Sequence, residues 1–351
     1  MNIFDLLHDL SIIEGFTHNE RKRALFCQNW LLKYGIEAII DEKNNCIVKY
    51  NIDGLDKFPI YQAHLDTVFP KINQDYIDDG KYIHYPGIGD DTANVCLLLW
   101  FLKEAKEKNL DVSGLFVLNS CEEGLGNLEG TKHIFEQYKN NCLYMVSFDC
   151  TLDSIINHAV GSYRYELKIN TKGGHSYSDF GNSNAIYEMS KIINEIYKIK
   201  PSAGTTYNVG LIEGGNSINS ICSNASMKYE VRSNNQMELD KIDSLINDII
   251  MKSPCDKEIT ILGKRPGMKD VPKEKLDLLV NKAIRSISRY TNKTPTICAG
   301  STDCNIPLSM GIPAISFGGI YGYNAHTLQE YIDKESLLIG YKVLRDFIME
   351  K

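Results

Sequence analysis

Five short stretches of this 351-residue chain hold carboxylates and histidines in patterns that could do chemistry. His64-Leu65-Asp66 follows an apolar run at 58–63, Glu122-Glu123 a second at 114–119, and Asp149 a third at 142–148. Gly87-Ile88-Gly89-Asp90-Asp91 sits in a glycine-rich loop, and Asn324-Ala325-His326 in another that follows residues 313–317. Each has an ordinary explanation when taken singly. A His-x-Asp is a hydrogen-bonded pair, Asp-Asp before a helix is an N-cap helped by the dipole, and Glu-Glu in a loop is solvated surface. Their shared placement changes the reading, because sites in open α/β sheets gather at the carboxyl ends of strands. Converging carboxylates repel one another and resist desolvation unless cations neutralise them. Two divalent metals would do so, and His with Asp/Glu but without Cys is the ligand set of hydrolytic zinc sites.

The elements that must position these groups read as follows. Phe4, Leu7 and Leu10, then Ala24, Leu25, Trp30 and Leu31, recur at helical spacing, with Thr17 available to cap the second helix. Strands are expected at 37–40, 46–50, 58–63, 114–119 and 142–148, with helices from Thr92 and over 130–138. Such alternation means α/β layering around a largely buried sheet. From Gly161 the pattern becomes strand 162–170, helix 184–199, strands 205–213 and 225–232, helix 238–252 and strand 258–262. That is βαββαβ, the ferredoxin-like arrangement. Afterwards the first pattern resumes, with a helix at 273–290, a strand–loop at 295–303, a strand at 313–317 and a terminal helix at 333–349. The simplest architecture is a catalytic α/β domain in two segments, residues 1–159 and 265–351, interrupted by an inserted domain at 160–264. The loop 263–269 is a natural hinge between them.

Composition narrows the classes. With 43% apolar residues the chain buries a sizeable core, and its length suits two domains. Thirty-eight basic against 45 acidic residues leave −7, which opposes a generic grip on nucleic acid or anionic membrane. The apolar run at 95–102 falls well short of the roughly 18 residues a spanning helix needs. The acidic N-terminus does not read as a signal peptide. The 10 cysteines form no CxxC pair and read as reduced thiols, so a soluble cytoplasmic protein is expected. GxGxxG fails after Gly89, no Walker lysine follows a glycine-rich loop, and no GxSxG elbow occurs.

The ordered motifs Ala63-His64-Leu65-Asp66-Thr67-Val68, Gly89-Asp90-Asp91, Cys121-Glu122-Glu123, Asp149, Gly173-Gly174-His175-Ser176, Ser301-Thr302-Asp303 and His326 carry a resemblance. Together they resemble the two-zinc metallopeptidase superfamily of peptidase T, glutamate carboxypeptidase, acetylornithine deacetylase, succinyl-diaminopimelate desuccinylase and aminoacylase. The resemblance implies a zinc-exopeptidase-like catalytic domain, with a mixed, largely parallel sheet flanked by helices, and an inserted ferredoxin-like lid and dimerisation domain. It implies two divalent ions, Zn2+ with Co2+ or Mn2+ as alternatives. His64 and Asp149 would ligate one, Glu123 and His326 the other, and Asp90 would bridge both. Asp66 would fix the His64 tautomer, and Glu122 would be the general base acting on a metal-bridging hydroxide. His175 would project from the lid, across a homodimer interface, to stabilise the oxyanion.

Asn219 and Arg232 would hold the substrate's carboxylate or scissile carbonyl. Arg232 also reads as a strand-end surface charge. Ser301, Thr302 and Asp303 would form a substrate-carboxylate loop or simply a helix N-cap turn, and Glu330 would have a supporting role. The family continues after the bridging carboxylate with Asp-Lys-Gly or Met-Lys-Gly, where this chain has Asp91-Thr92-Ala93. Asp149 is an Asp, as in the peptidase T branch, which favours an aminopeptidase-type exopeptidase acting on short peptides. An N-acyl-amino-acid amidohydrolase would use the same chemistry. A non-catalytic binding protein on the same fold would require a lost ligand or base, and none is missing.

Overall fold

The computed structural model describes residues 2–350. Its contacts divide the chain into two compact units, one running up to Ala159 and resuming at Lys269, the other spanning Val160–Met268. The first unit opens with α1 (Ile3–Ser11), α2 (Arg21–Leu32), β1 (Ile39–Ile40), β2 (Cys46–Tyr50), β3 (Phe58–His64), β4 (Ile77–Asp78) and β5 (Tyr82–His84). After a wide turn at Ile88–Thr92 come α3 (Ala93–Glu107), β6 (Gly114–Asn119), α4 (Glu129–Tyr138), β7 (Cys142–Ser147) and β8 (Ser154–Ala159). The second unit contains β9 (Gly161–Asn170), β10 (Gly174–His175), α5 (Ala185–Ile196), β11 (Thr205–Gly214), β12 (Ser220–Ile221), β13 (Asn224–Ser233), α6 (Gln236–Met251) and β14 (Asp256–Arg265). The first unit then resumes with α7 (Lys273–Thr291), β15 (Thr296–Gly300), α8 (Asn305–Ser309), β16 (Ala314–Ser316), β17 (Gly322–Tyr323), β18 (Tyr331–Asp333) and α9 (Lys334–Met349).

In the first unit eight strands form one sheet in the order β1-β2-β6-β3-β7-β16-β8-β15. The neighbours β6, β3, β7 and β16 run parallel, whereas β2 joins β6 and β16 joins β8 antiparallel. The sheet is therefore mixed with a parallel centre, as expected. Parallel centres are covered on both faces, which is why β6 is buried throughout and β3 nearly so. The covering layer includes α3, whose residues 93–99 are all buried. His64 pairs with Asn119, and Gln62 with both Val117 and Ser147. β3, β6 and β7 thus end side by side, and the segments carrying His64, Glu122 and Asp149 leave the same edge.

Three features of this unit depart from the pattern reading. Thr17 does not cap α2. Its hydroxyl donates instead to Asp66 Oδ2 at 3.0 Å, and the N-cap residue is Glu20, with no capping bond from its side chain. Asp90 and Asp91 do not cap α3, whose N-cap residue is Thr92; both lie within the 88–92 turn and share a cis peptide bond. A second sheet, β17-β18-β5-β4, was not anticipated, nor was β8.

The second unit is a four-stranded antiparallel sheet in the order β11-β13-β9-β14. Tyr165, Leu167 and Ile169 of β9 and Met227, Tyr229 and Val231 of β13 alternate into a core closed by Met189 and Ile192 of α5 and Leu239, Ile242 and Ile246 of α6. This is the expected βαββαβ unit with one addition, the two-residue pair β10–β12. β11 is an edge strand, with Leu211 and Ile212 exposed.

Candidate metal centre

Five side chains meet at the carboxyl edge of the large sheet. Asp90 lies at their middle, its Oδ1 3.0 Å from His64 Nε2 and its Oδ2 2.9 Å from His326 Nε2. Glu123 Oε1 is 3.0 Å from the same His326 nitrogen. Ligand atoms of His64, Asp90 and Asp149 lie within 4.8 Å of one another, as do those of Asp90, Glu123 and His326, and those of His64, Glu122 and Glu123. The structure thus brings together all five sequence-derived ligands, with Glu122 beside them.

The tautomer of His64 follows from its contacts. Nδ1 lies 3.0 Å from the carbonyl oxygen of Asp66, which only accepts, so Nδ1 carries a proton, while Nε2 faces Asp90. The Asp66 carboxylate stands farther away, 3.5 Å from Nδ1. Its oxygens accept the backbone N–H groups of Glu122 at 3.0 Å and Glu123 at 2.9 Å. Asp66 therefore orients the imidazole mainly through its backbone carbonyl and holds the glutamate loop with its side chain.

Three further groups support the ligands, of which sequence reasoning missed Arg23 and the role of Asp91. Asp91 is fully buried and accepts the His64 N–H at 2.9 Å and the Asn94 side-chain amide at 2.6 Å. Glu330 accepts from the N–H groups of Gly87, Gly89 and Asp90 at 2.7, 2.7 and 2.9 Å, which gives its anticipated support a definite form. Arg23, also buried, donates to the carbonyl of Leu65 at 2.6 Å and to the Thr92 hydroxyl. Arg23 and Asp91 carried no signal of these roles, since each acts on backbone or on a neighbouring loop.

The electrostatics show what the cluster would favour. Burial, reinforced by the charge of Asp90 and countered by His64, pushes Asp149 up to about 7. Burial also raises Glu123 and, strongly, Asp91. Burial disfavours the charged form of Asp90, but hydrogen bonds from His326 and His64 outweigh it and hold Asp90 well below the usual range. Hydrogen bonds to Asp90 and Glu123 lift His326 to about 11. Asp66, Asp90, Asp91, Glu122, Glu123 and Asp149 are six carboxylates gathered around two histidines and the more distant Arg23. A negative excess of this kind, on oxygen and imidazole donors, fits two divalent cations.

The other predicted residues fall in different places. Asp303 is fully buried, with its oxygens taken by Thr131 at 2.6 Å and Asn119 at 2.7 Å. It ties α8 to the sheet and α4, and so does not fit the expected substrate contact. Thr302 is also buried, and its hydroxyl accepts the Cys304 N–H at 3.2 Å. With Ser301 it belongs to the turn that leads into α8, as the alternative reading anticipated. In the second unit the His175 and Asn219 segments adjoin, since Gly174 and His175 pair with Ile221 and Ser220, and the Ser176 N–H donates to the Asn219 carbonyl at 3.0 Å. The Arg232 guanidinium is held by Glu230 at 2.9 and 3.1 Å, which suits a strand-face ion pair.

Residues 157–254 match the family model of the M20 peptidase dimerisation domain. The chain is 27% identical over 292 residues to an acetylornithine deacetylase of Aliivibrio fischeri, spanning 75% of this chain and 71% of that relative. A solved tripeptidase of Staphylococcus aureus has the same fold, with a TM-score of 0.80 at 23% identity over 99% of this chain and 97% of the other. So does a Bacillus subtilis protein described as a dinuclear metal binding peptidase of the M20 family, with a TM-score of 0.68 at 15% identity over 99% and 96%. The matched domain and these relatives support the M20 metallopeptidase superfamily as this chain's kin.

Proposed function

We propose that this M20 hydrolase is an aminopeptidase-type exopeptidase that releases residues from short peptides. The observation that carries the hydrolytic reading is Asp90, whose two oxygens face His64 and His326 on opposite sides. One divalent ion would be held by His64, Asp90 and Asp149, the other by Asp90, Glu123 and His326, with Zn2+ the expected metal. Such ions polarise a carbonyl and lower the pKa of water toward about 7.

The chain's own residues then divide the remaining work. Glu122, held by its backbone N–H to Asp66, takes the proton of the attacking water as oxygen adds to the amide carbon. It returns that proton to nitrogen as the C–N bond breaks. His175 suits an oxyanion donor, because its Nδ1 accepts the backbone N–H groups of Tyr177 and Ser178 at 3.2 and 3.4 Å, which leaves the ring proton on Nε2. Asn219 and Arg232 are proposed as substrate contacts. The second unit is proposed as a lid that forms the homodimer, supported by the dimerisation-domain match and the open edge of β11. A reducing cytoplasm suits 10 cysteines that are all unpaired. Among the described residues no helix is long and apolar enough to cross a membrane.

The relatedness to a deacetylase favours a second reading, an N-acyl-amino-acid amidohydrolase with the same machinery. A screen of Zn2+-, Co2+- and Mn2+-loaded protein against di- and tripeptides and against N-acetyl and N-succinyl amino acids decides between them. Activity confined to the acyl series sinks the aminopeptidase reading, and activity on neither series leaves a binding protein. Glu122→Gln should retain both metals and lose about 10²–10⁴ in kcat. Turnover equal to the parent would remove Glu122 from the role of base.

A further inference from the structure

We propose that Glu20, remote in sequence from every metal ligand, is a positioning residue that aims the catalytic base by holding the backbone of the loop 121–123. The proposal rests on Glu122 being that base. The loop presents three successive backbone N–H groups to buried carboxylates. Those of Glu122 and Glu123 go to Asp66. The first, from Cys121, goes to Glu20 Oε1 at 3.1 Å. The same oxygen accepts the His18 N–H at 2.8 Å and the Cys121 thiol at 3.5 Å.

Cys121 has a φ of 61°, a left-handed conformation that a residue with a Cβ keeps only when its surroundings impose it. An acceptor fixed on its N–H is such an imposition, and the direction in which Glu122 leaves depends on that backbone. Helix capping does not account for Glu20, because its side chain makes no cap bond to α2 although it is the N-cap residue. Nor does solvation, because Glu20 is fully buried and its Oε2 has no hydrogen-bond partner among the described residues. The other half of the brace is tied to the same segment, since the Thr17 hydroxyl donates to Asp66 Oδ2 at 3.0 Å. Residues 17–20 thus reach all three amides of the glutamate loop, one directly and two through Asp66.

The test compares two variants of the full chain. Glu20→Met keeps the volume and removes the acceptor. Glu20→Gln keeps an oxygen acceptor and puts its NH2 where Oε2 has no partner. Hydrogen exchange at the amides of 121–123 is measured with and without Zn2+, together with Zn2+ content and the steady-state constants on the best substrate. In Glu20→Met, exchange at the Cys121 amide should accelerate at least about 10-fold. Its kcat should fall about 10–100-fold with KM within about 3-fold, while Glu20→Gln stays within about 3-fold of the parent in each readout.

Unchanged exchange and kcat in Glu20→Met would overturn the proposal. So would a Glu20→Gln as impaired as Glu20→Met, which would assign the effect to charge, or a matching loss of Zn2+, which would assign it to metal retention. If Glu20→Met does not fold, the parent decides: a Cys121 amide that exchanges like an unprotected loop amide refutes the brace. Exchange needs no substrate, so failure of the exopeptidase reading in the substrate screen leaves this measurement separately interpretable.

Discussion

Glu330 joins parts of the chain 240 residues apart, for it accepts the Asp90 N–H as well as those of Gly87 and Gly89. Burial first, then the charge of Asp90, pushes it up to about 7 against the pull of those amides. It touches no proposed metal position, yet it sets where Asp90 stands. Glu330→Ala should therefore weaken metal affinity about 10–100-fold, the usual effect of removing an outer partner. Competition against a chelating dye measures this, and unchanged affinity would assign Glu330 to folding alone. The ligands themselves were legible because His64, Glu123 and Asp149 follow predicted strands, and because the ordered motifs that include Asp90 and His326 resemble a known family. Glu330 was anticipated only in outline. Asp91, Arg23 and Glu20 were not legible, because each acts through a backbone amide, a carbonyl or a neighbouring loop and so leaves no spacing to read.

At the scale of elements, long periodic segments were legible and short ones were not. The alternation of Tyr165, Leu167 and Ile169 and the helical faces of α5 and α6 announced the second unit. β17, β18, β5 and β4 are two or three residues long, too short for any period to show. The sequence placed 87–91 in a glycine-rich loop before a helix, but its wide turn did not show because Asp-Asp is also good capping chemistry. Its entry needs glycine: Gly87 has a φ of 75°, and a Cβ there would lie 2.6 Å from Thr67 Cγ2. Gly87→Ala should lower stability by about 1–3 kcal/mol, read as a shifted midpoint in urea with the slope preserved. At the other unit's edge, Leu211→Glu on β11 should convert the proposed homodimer to monomer in sedimentation, because an exposed, apolar edge strand invites pairing with another chain. A dimer that survives this change would move the interface elsewhere.

For the whole molecule, chelation is the informative perturbation. Each unit has its own core, and the crowded carboxylates belong to the first alone. Removing metal should lower the melting temperature of the first unit and spare that of the second, with about 2.7 kcal/mol regained at a free metal concentration 100 times Kd. Calorimetry with EDTA and then added Zn2+ measures it, and a transition indifferent to chelator would argue against resident cations.

The bonds from Glu330 to the 87–90 turn also constrain how the protein is made. A chain emerging from the ribosome presents His64, Asp90, Glu123 and Asp149 long before His326 and Glu330 exist. Until residue 330 has cleared the exit tunnel, the Asp90 turn lacks the carboxylate that gathers its amides, and the second set of ligands is incomplete. Metal capture at both positions should therefore follow synthesis of residue 330. Chains stalled before residue 326 should take up less metal than chains that extend past residue 330.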